Sequence, residues 1–135
     1  MLQGLNHITL AVSDLDVAFE FYTKTLGMKP HVKWASGAYL SCGDLWFCLS
    51  LDNADPAKDY THIAFTASPD EMEELRIKLN QTNVTEWKIN SSEGDSIYLL
   101  DPDGHKLEIH CGDLQSRLTS LKDKPYKGLV WYEGC

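Results

Sequence analysis

Two histidines head two matching stretches of this sequence, Leu5-Asn6-His7-Ile8-Thr9-Leu10-Ala11 and Tyr60-Thr61-His62-Ile63-Ala64-Phe65-Thr66. Imidazole is a common ligand of first-row divalent metals, and a repeat that brings a histidine to the same place twice points to one shared site. Apolar residues alternate after each histidine, Ile8, Leu10 and Val12 in the first copy and Ile63 and Phe65 in the second. Each histidine therefore falls on the strand face opposite the apolar one. Later, Lys106-Leu107-Glu108-Ile109-His110 puts Glu108 on a polar strand face as well. His7, His62 and Glu108 form a two-imidazole, one-carboxylate set that holds a divalent ion with coordination positions left open. An open metal is a Lewis acid, able to stabilise charge on a substrate oxygen as a bond to it breaks. His31 beside the Lys29-Pro30 bend, His105 after a turn glycine and His110 without a symmetry mate are read as structural. Aligning Gly43 with Gly104 sets Phe47 against Glu108, or Cys48 if the register slips by one, so the first half supplies no second acid.

A second concentration of chemistry lies in Lys88-Ile89-Asn90-Ser91-Ser92-Glu93-Gly94-Asp95-Ser96-Ile97-Tyr98. Ser92, Gly94 and Ser96 allow a loop whose carbonyls and hydroxyls wrap a cation or whose donors grip an anion, with Lys88 and Tyr98 at the flanking strand ends. Arg117, on a terminal helix, is a further cation, whose plain role is a solvated or salt-bridged one.

The elements that must position these groups follow the same repeat. Ser13-Asp14 offers an N-cap to Ala18, Phe21, Tyr22 and Leu26, and Ser68-Pro69-Asp70-Glu71 does so for Met72, Leu75 and Leu79. Gly27 ends the first helix. Three strands are expected after each helix, near 31–34, 37–41 and 45–51 and then near 85–88, 96–100 and 106–110, with Asp101-Pro102-Asp103-Gly104 as a tight turn. The pattern is β-α-β-β-β written twice, an α+β fold. The expected modules span 1–52 and 60–112, joined by a polar linker at 53–59, with a helix near 114–121 and a tail completing 113–135. Each module is too small to bury a sufficient core alone and must close on another, within the chain or across a dimer, which is favoured.

Composition narrows the function. Twelve basic against twenty acidic side chains give a net charge of −8, which disfavours general nucleic-acid binding. With 43% hydrophobic residues and four Trp, six Tyr and four Phe in 135 residues, the chain has material for a real core. No membrane span or export signal is visible, and Cys42, Cys48, Cys111 and Cys135 read as free thiols of a reducing cytoplasm.

These residues carry a resemblance. The segments 4–12, 37–40, 45–50, 59–62 and 92–108 resemble the fosfomycin-resistance thiol transferases of the FosA type, in the vicinal-oxygen-chelate superfamily with glyoxalase I and extradiol dioxygenases. The resemblance implies a domain-swapped homodimer in which His7 of one subunit joins His62 and Glu108 of the other around Mn²⁺. It further implies that Lys88, Ser92, Ser96, Tyr98 and Arg117 bind the phosphonate, with Thr9 near the epoxide oxygen and Tyr39 near the thiol. Trp34, Tyr39 and Ser50 would bind glutathione, and Asn90, Ser92, Gly94 and Ser96 would hold an activating K⁺. The implied reaction is opening of the fosfomycin epoxide by the thiolate of glutathione.

The alternatives are hydrolysis of the same epoxide, use of bacillithiol or cysteine, glyoxalase-type isomerisation, and metal-free sequestration of a small anion. Hydrolysis needs a carboxylate base that 36–39 does not offer, isomerisation wants the acid that Phe47 replaces, and a sequestering protein dispenses with the three ligands. Ser91 and Ser36 stand where the family commonly has Arg and Gln, removing donors for the carboxylates of glutathione. Steady-state titration of both substrates should therefore show weaker saturation with glutathione than with fosfomycin; equally tight saturation would contradict that reading.

Overall fold

The computed structural model describes residues 1–132, so Cys135 lies outside the described residues. Helix α1 (Leu15–Glu20) starts where the Asp14 carboxylate accepts the backbone N–H of Val17 at 3.1 Å, and it runs on into a single π-helical turn, Phe21–Thr25. Helix α2 (Pro69–Asn80) opens with a capping box. Ser68 Oγ accepts from the Glu71 N–H, the Glu71 carboxylate accepts from the Ser68 N–H, and Pro69 occupies the first turn, where its missing donor is harmless. Helix α3 (Leu114–Asp123) is capped reciprocally by Asp113 and Ser116 and ends two residues beyond its expected limit.

Among the described residues eight strands accompany these helices: β1 (His7–Val12), β2 (Lys29–Trp34), β3 (Gly37–Cys42), β4 (Leu45–Leu51), β5 (Ile63–Thr66), β6 (Glu86–Lys88), β7 (Asp95–Leu100) and β8 (Lys106–Cys111). They form two sheets of identical order, β1-β4-β3-β2 and β5-β8-β7-β6, each with its first strand parallel to its last. The fold is α+β, of paired βαβββ modules. His62 sits just ahead of β5 rather than inside it. The edge strand β2 is exposed along its whole length and carries Lys29, Pro30 and Lys33, residues that discourage pairing with a foreign strand.

Each sheet buries one face. Val12, Leu40, Phe47 and Leu49 from the first and Phe65, Leu99 and Leu107 from the second join Tyr22 and Met72 in one apolar cluster. Phe47 and Phe65 meet edge to face across the two modules with centroids 5.8 Å apart. Neither module has a core to itself.

The register corrects one expectation. His7 pairs with Trp46 and Thr9 with Cys48 on the first sheet, and Ile63 pairs with Leu107 and Ala64 with Glu108 on the second. Tyr39 lies opposite Cys48 as Tyr98 lies opposite Glu108. The counterpart of Glu108 is thus Cys48, not Phe47, whose ring points into the core. Alignment on the turn glycines misled because Gly43 lies five residues ahead of Cys48 whereas Gly104 lies four ahead of Glu108.

The turn at 101–104 locks the modules together. Asp101 Oδ1 accepts the N–H groups of Asp103 and His105, and its Oδ2 accepts the Tyr22 hydroxyl at 2.7 Å. Asp103 accepts from Ser13, and His105 Nε2 donates to the Ala11 carbonyl at 2.7 Å. Burial, followed by the charge of Asp101, pushes the Tyr22 phenol far above its ordinary pKa, so it stays a donor. Tyr22 is 0% and Asp101 5% exposed. Tyr22→Phe should therefore lower unfolding free energy by about 1–3 kcal/mol in urea titrations; an unchanged midpoint would show that the carboxylate finds another donor.

Candidate functional site

The polar face of the second sheet gathers most of the expected residues. Strands β7 and β8 set Tyr98 opposite Glu108 and Ser96 opposite His110, and His62 precedes β5, whose Ala64 lies beside Glu108. Glu108 is 8% exposed, and its two oxygens have different partners. Oε2 accepts the Ser96 hydroxyl at 2.8 Å, while Oε1 lies 3.0 Å from His62 Nε2. His62 Nδ1 donates to the Tyr60 carbonyl at 2.9 Å, which leaves Nε2 facing the carboxylate oxygen with either a hydrogen or a lone pair. Only a proton or a cation reconciles two such groups. Ligands at right angles on one ion, with bonds of about 2.1 Å, stand about 3 Å apart, so this pair has the chemistry and spacing of two metal ligands.

The third expected ligand is elsewhere. His7 is exposed on the first sheet, stacked on Trp46 at 4.4 Å between centroids, and its Nδ1 donates to Asn6 Oδ1 at 2.7 Å. His7 and His62 thus both donate through Nδ1, which leaves Nε2 as the ring nitrogen that would meet a metal. Among the described residues no group of three or more His, Cys, Asp or Glu side chains is arranged around one ion. One chain brings together two of the three.

The cations flank the pair. Lys88 Nζ donates to the Tyr60 hydroxyl and lies over the rings of Tyr60 and Tyr98, 4.5 and 4.9 Å from their centroids. The bond to Tyr60 raises the pKa of the ammonium. Arg117 reaches the loop at 90–96, with Nε 3.1 Å from Glu93 Oε1. Its terminal nitrogens make long contacts, 3.3 Å to Ser92 Oγ, 3.4 Å to the Glu93 carbonyl and 3.5 Å to the Tyr126 hydroxyl. Within the loop Asn90 Oδ1 accepts from the N–H and hydroxyl of Ser92, and Asn90 Nδ2 donates to the Gly94 carbonyl. Three of the four residues expected to hold K⁺ are gathered at Asn90 as oxygen donors in one loop, a set suited to a hard monovalent ion. The hydroxyl of the fourth, Ser96, is turned to Glu108.

The polar face of the first sheet carries Thr9, Tyr39, Cys48, Ser50 and His7 on neighbouring strands. Trp34 and Trp46 flank Tyr39 edge to face at 4.9 and 5.2 Å. Trp34 lies so close across Gly37 that a Cβ there would be 2.6 Å from the indole. This aromatic, partly exposed face is where the three residues expected to meet glutathione come together.

Four contributors escaped sequence reasoning: Asn6 and Tyr60, which orient the two histidines, Glu93, which holds Arg117, and His110. The first two sit one and two residues before a histidine, a local signal that was available. Glu93 gave none, because its partners depend on tertiary placement, and the one signal at His110 was its lack of a mate in the repeat.

Asp95, where the loop enters β7, makes a bidentate pair with Arg76 at 2.5 and 2.7 Å, and this bond holds its carboxyl below the usual range. A lowered folded-state pKa contributes stability above the unfolded value of about 3.9 and loses it as pH falls through the folded value. Both partners are over 40% exposed, so the effect is small, under about 1 kcal/mol. Asp95→Asn should be slightly less stable than wild type at pH 7, and thermal melts of the two should converge in acid; a difference that persists there would place its origin outside the ion pair.

Comparison with known proteins gives the family of the fold. The model of the Glyoxalase/Bleomycin resistance protein/Dioxygenase superfamily matches residues 4–109. The glutathione transferase FosA of Serratia marcescens is 53% identical over 97% of this chain and 96% of its own length. A metallothiol transferase FosB of Lysinibacillus sphaericus is 41% identical over 90% of this chain and 91% of its own. Among solved structures, the fosfomycin resistance protein FosX of Listeria monocytogenes superposes with a TM-score of 0.80 at 29% identity, over 89% of this chain and 99% of that one. A FosX variant complexed with Mn(II) and 1S,2S-dihydroxypropylphosphonic acid gives 0.78 at 28% identity, over 87% and 99%. With two matching modules, a histidine at the head of each and an acid on the last strand, the chain belongs to the glyoxalase/bleomycin resistance protein/dioxygenase superfamily and, within it, to the FosA type.

Proposed function

We propose that this chain is a cytoplasmic glutathione transferase that inactivates fosfomycin, using Mn²⁺ as Lewis acid and K⁺ as activator, in a homodimer whose sites are shared between subunits. The observation that carries the proposal is the divided ligand set: His62 and Glu108 pair on one sheet through His62 Nε2 while His7 lies on the other, each histidine donating Nδ1–H to a neighbouring oxygen. Similarity to FosA supports the thiol and FosX with Mn(II) supports the metal.

In this reading His7 from one subunit joins His62 and Glu108 from the other as ligands. The bound metal would supply charge stabilisation to the oxygen released from the epoxide. Lys88, Ser92, Tyr98 and the terminal nitrogens of Arg117 hold the phosphonate dianion, and Glu93 keeps Arg117 aimed while leaving those nitrogens weakly engaged. Ser96, expected at the phosphonate, gives its one hydroxyl hydrogen to Glu108 and so contributes to that pocket through the carboxylate. Asn90, Ser92, Gly94 and Ser96 surround the monovalent ion, adding positive charge near the anion. Trp34, Tyr39 and Ser50 position glutathione, and the Tyr39 hydroxyl stabilises the thiolate. The sulfur attacks an epoxide carbon, the C–O bond breaks, its electron pair stays on oxygen, and a proton from solvent completes the product. Thr9 donates to that oxygen, and no bond to the protein forms. Holding thiolate and epoxide in line supplies the rest of the acceleration.

Phosphorus NMR and mass spectrometry of protein incubated with fosfomycin, Mn²⁺ and K⁺ should show a glutathione adduct. A diol, or an adduct with cysteine in preference to glutathione, would replace this reading with that of another epoxide-opening enzyme, and binding without product would make it a sequestering protein. Shared sites make a sharper demand. His7→Ala and His62→Ala should each be inactive, yet subunits refolded together should recover about a quarter of wild-type activity, because half the dimers are mixed and each has one intact site. No recovery on mixing would mean that the three ligands come from one subunit.

A further inference from the structure

The imidazole of His110, which the mechanism above does not use, is built into the site from every side. Its Nδ1 lies 2.6 Å from Ser96 Oγ, whose own hydrogen goes to Glu108 Oε2, so Nδ1–H is the donor and a directed chain runs from His110 through Ser96 to Glu108. His110 Nδ1 is itself 3.4 Å from Glu108 Oε2. On the far side of the ring, Nε2 lies 3.9 Å from Glu93 Oε1, the oxygen that accepts from Arg117. The backbone leaves the ring its space: a Cβ on Gly94 would stand 2.8 Å from Cε1, and one on Gly112 would stand 2.7 Å from Nε2. Both glycines hold a positive φ, 77° and 153°, so two separate stretches of chain are shaped around this side chain. The ring sits between the loop at 90–96 and the carboxylate expected to bind metal.

We propose that His110 is a positioning residue for the metal site. It fixes the Ser96 hydroxyl on Oε2 of Glu108, which directs Oε1 toward His62 and sets the carboxylate's rotamer before metal arrives. Because the same ring supports Gly94, it also ties the conformation of the loop at 90–96 to that of the ligand. The inference rests on the proposed metal-binding role of His62 and Glu108.

The test compares two replacements chosen to separate donor from volume. His110→Asn keeps a side-chain N–H near the Nδ1 position, and His110→Phe keeps a ring between the two glycines but has no donor. Mn²⁺ affinity of the purified dimer, measured by electron paramagnetic resonance titration without substrates, should fall about 10–100-fold in His110→Phe and recover most of the way in His110→Asn. Ser96→Ala should lose a similar factor, and adding His110→Phe to it should change little more, because both act through one bond. Circular dichroism melts confirm that each variant is folded. If His110→Phe binds Mn²⁺ like wild type, or if the Asn variant is the weaker of the two, His110 is a packing residue and the inference is overturned while metal binding stands. If wild-type protein takes up no Mn²⁺ and His62→Ala changes nothing, the metal reading and this inference fall together.

Discussion

A carboxylate withdrawn from water has to be answered by donors or by a cation, and the second sheet is arranged around that demand at Glu108. Leaving such a group unpartnered costs several kcal/mol, so the residues beside it are not free to vary independently. Ser96 answers one oxygen and His62 faces the other. A hydrogen on Nε2 answers that second oxygen in the protein alone, and a cation between the two groups would answer it in the proposed metal-bound form.

Sheet geometry decides what one chain can assemble. Alternation gives each sheet one face for the common core and leaves the other for chemistry, and the two open faces belong to different modules. The first is aromatic and holds His7, Thr9 and Tyr39; the second is charged and holds His62, Glu108 and Lys88. They complement each other in content, one aromatic and the other charged, as the proposed division between thiol on one side and metal and phosphonate on the other requires. Face-to-face pairing of unlike modules from two chains is the simplest way to unite them, which is why the proposed dimer follows from the division of the residues as much as from family likeness.

The sequence announced much of this through repetition. Two histidines with the same downstream alternation located both open faces, and the capping residues Asp14 and Ser68 located the helices, because these signals act within a few residues. The register of the last strand was less legible. Gly43 and Gly104 suggested Phe47 as the partner position of Glu108, whereas the pairing of β4 with β1 and β3 assigns Cys48. Ladder register depends on where each strand enters its sheet, which a turn residue does not specify. His110 was set aside because it had no mate in the repeat. Departure from symmetry was in fact its distinguishing feature: Ser50 holds the equivalent place on the first sheet, where there is no carboxylate to orient. Arg117 was found, but its attachment to Glu93 was not, since that contact joins a helix to a loop through tertiary folding alone.

The turn at 101–104 has a consequence for how the protein is made. Its bonds to Tyr22, Ser13 and Ala11 span 79 to 94 residues of chain. During synthesis the hairpins of the first module can form as soon as they emerge and α1 can pack on their apolar side, but the part of that side which meets the second module, including the contact of Phe47 with Phe65, stays uncovered until that module has also left the ribosome. At ordinary elongation rates of about 5–20 residues per second, that wait lasts several seconds. Throughout it, that part of the face is open to other nascent chains. The first module is thus the part of the molecule with most need of a chaperone, and slowing translation through its second half would lengthen the exposure.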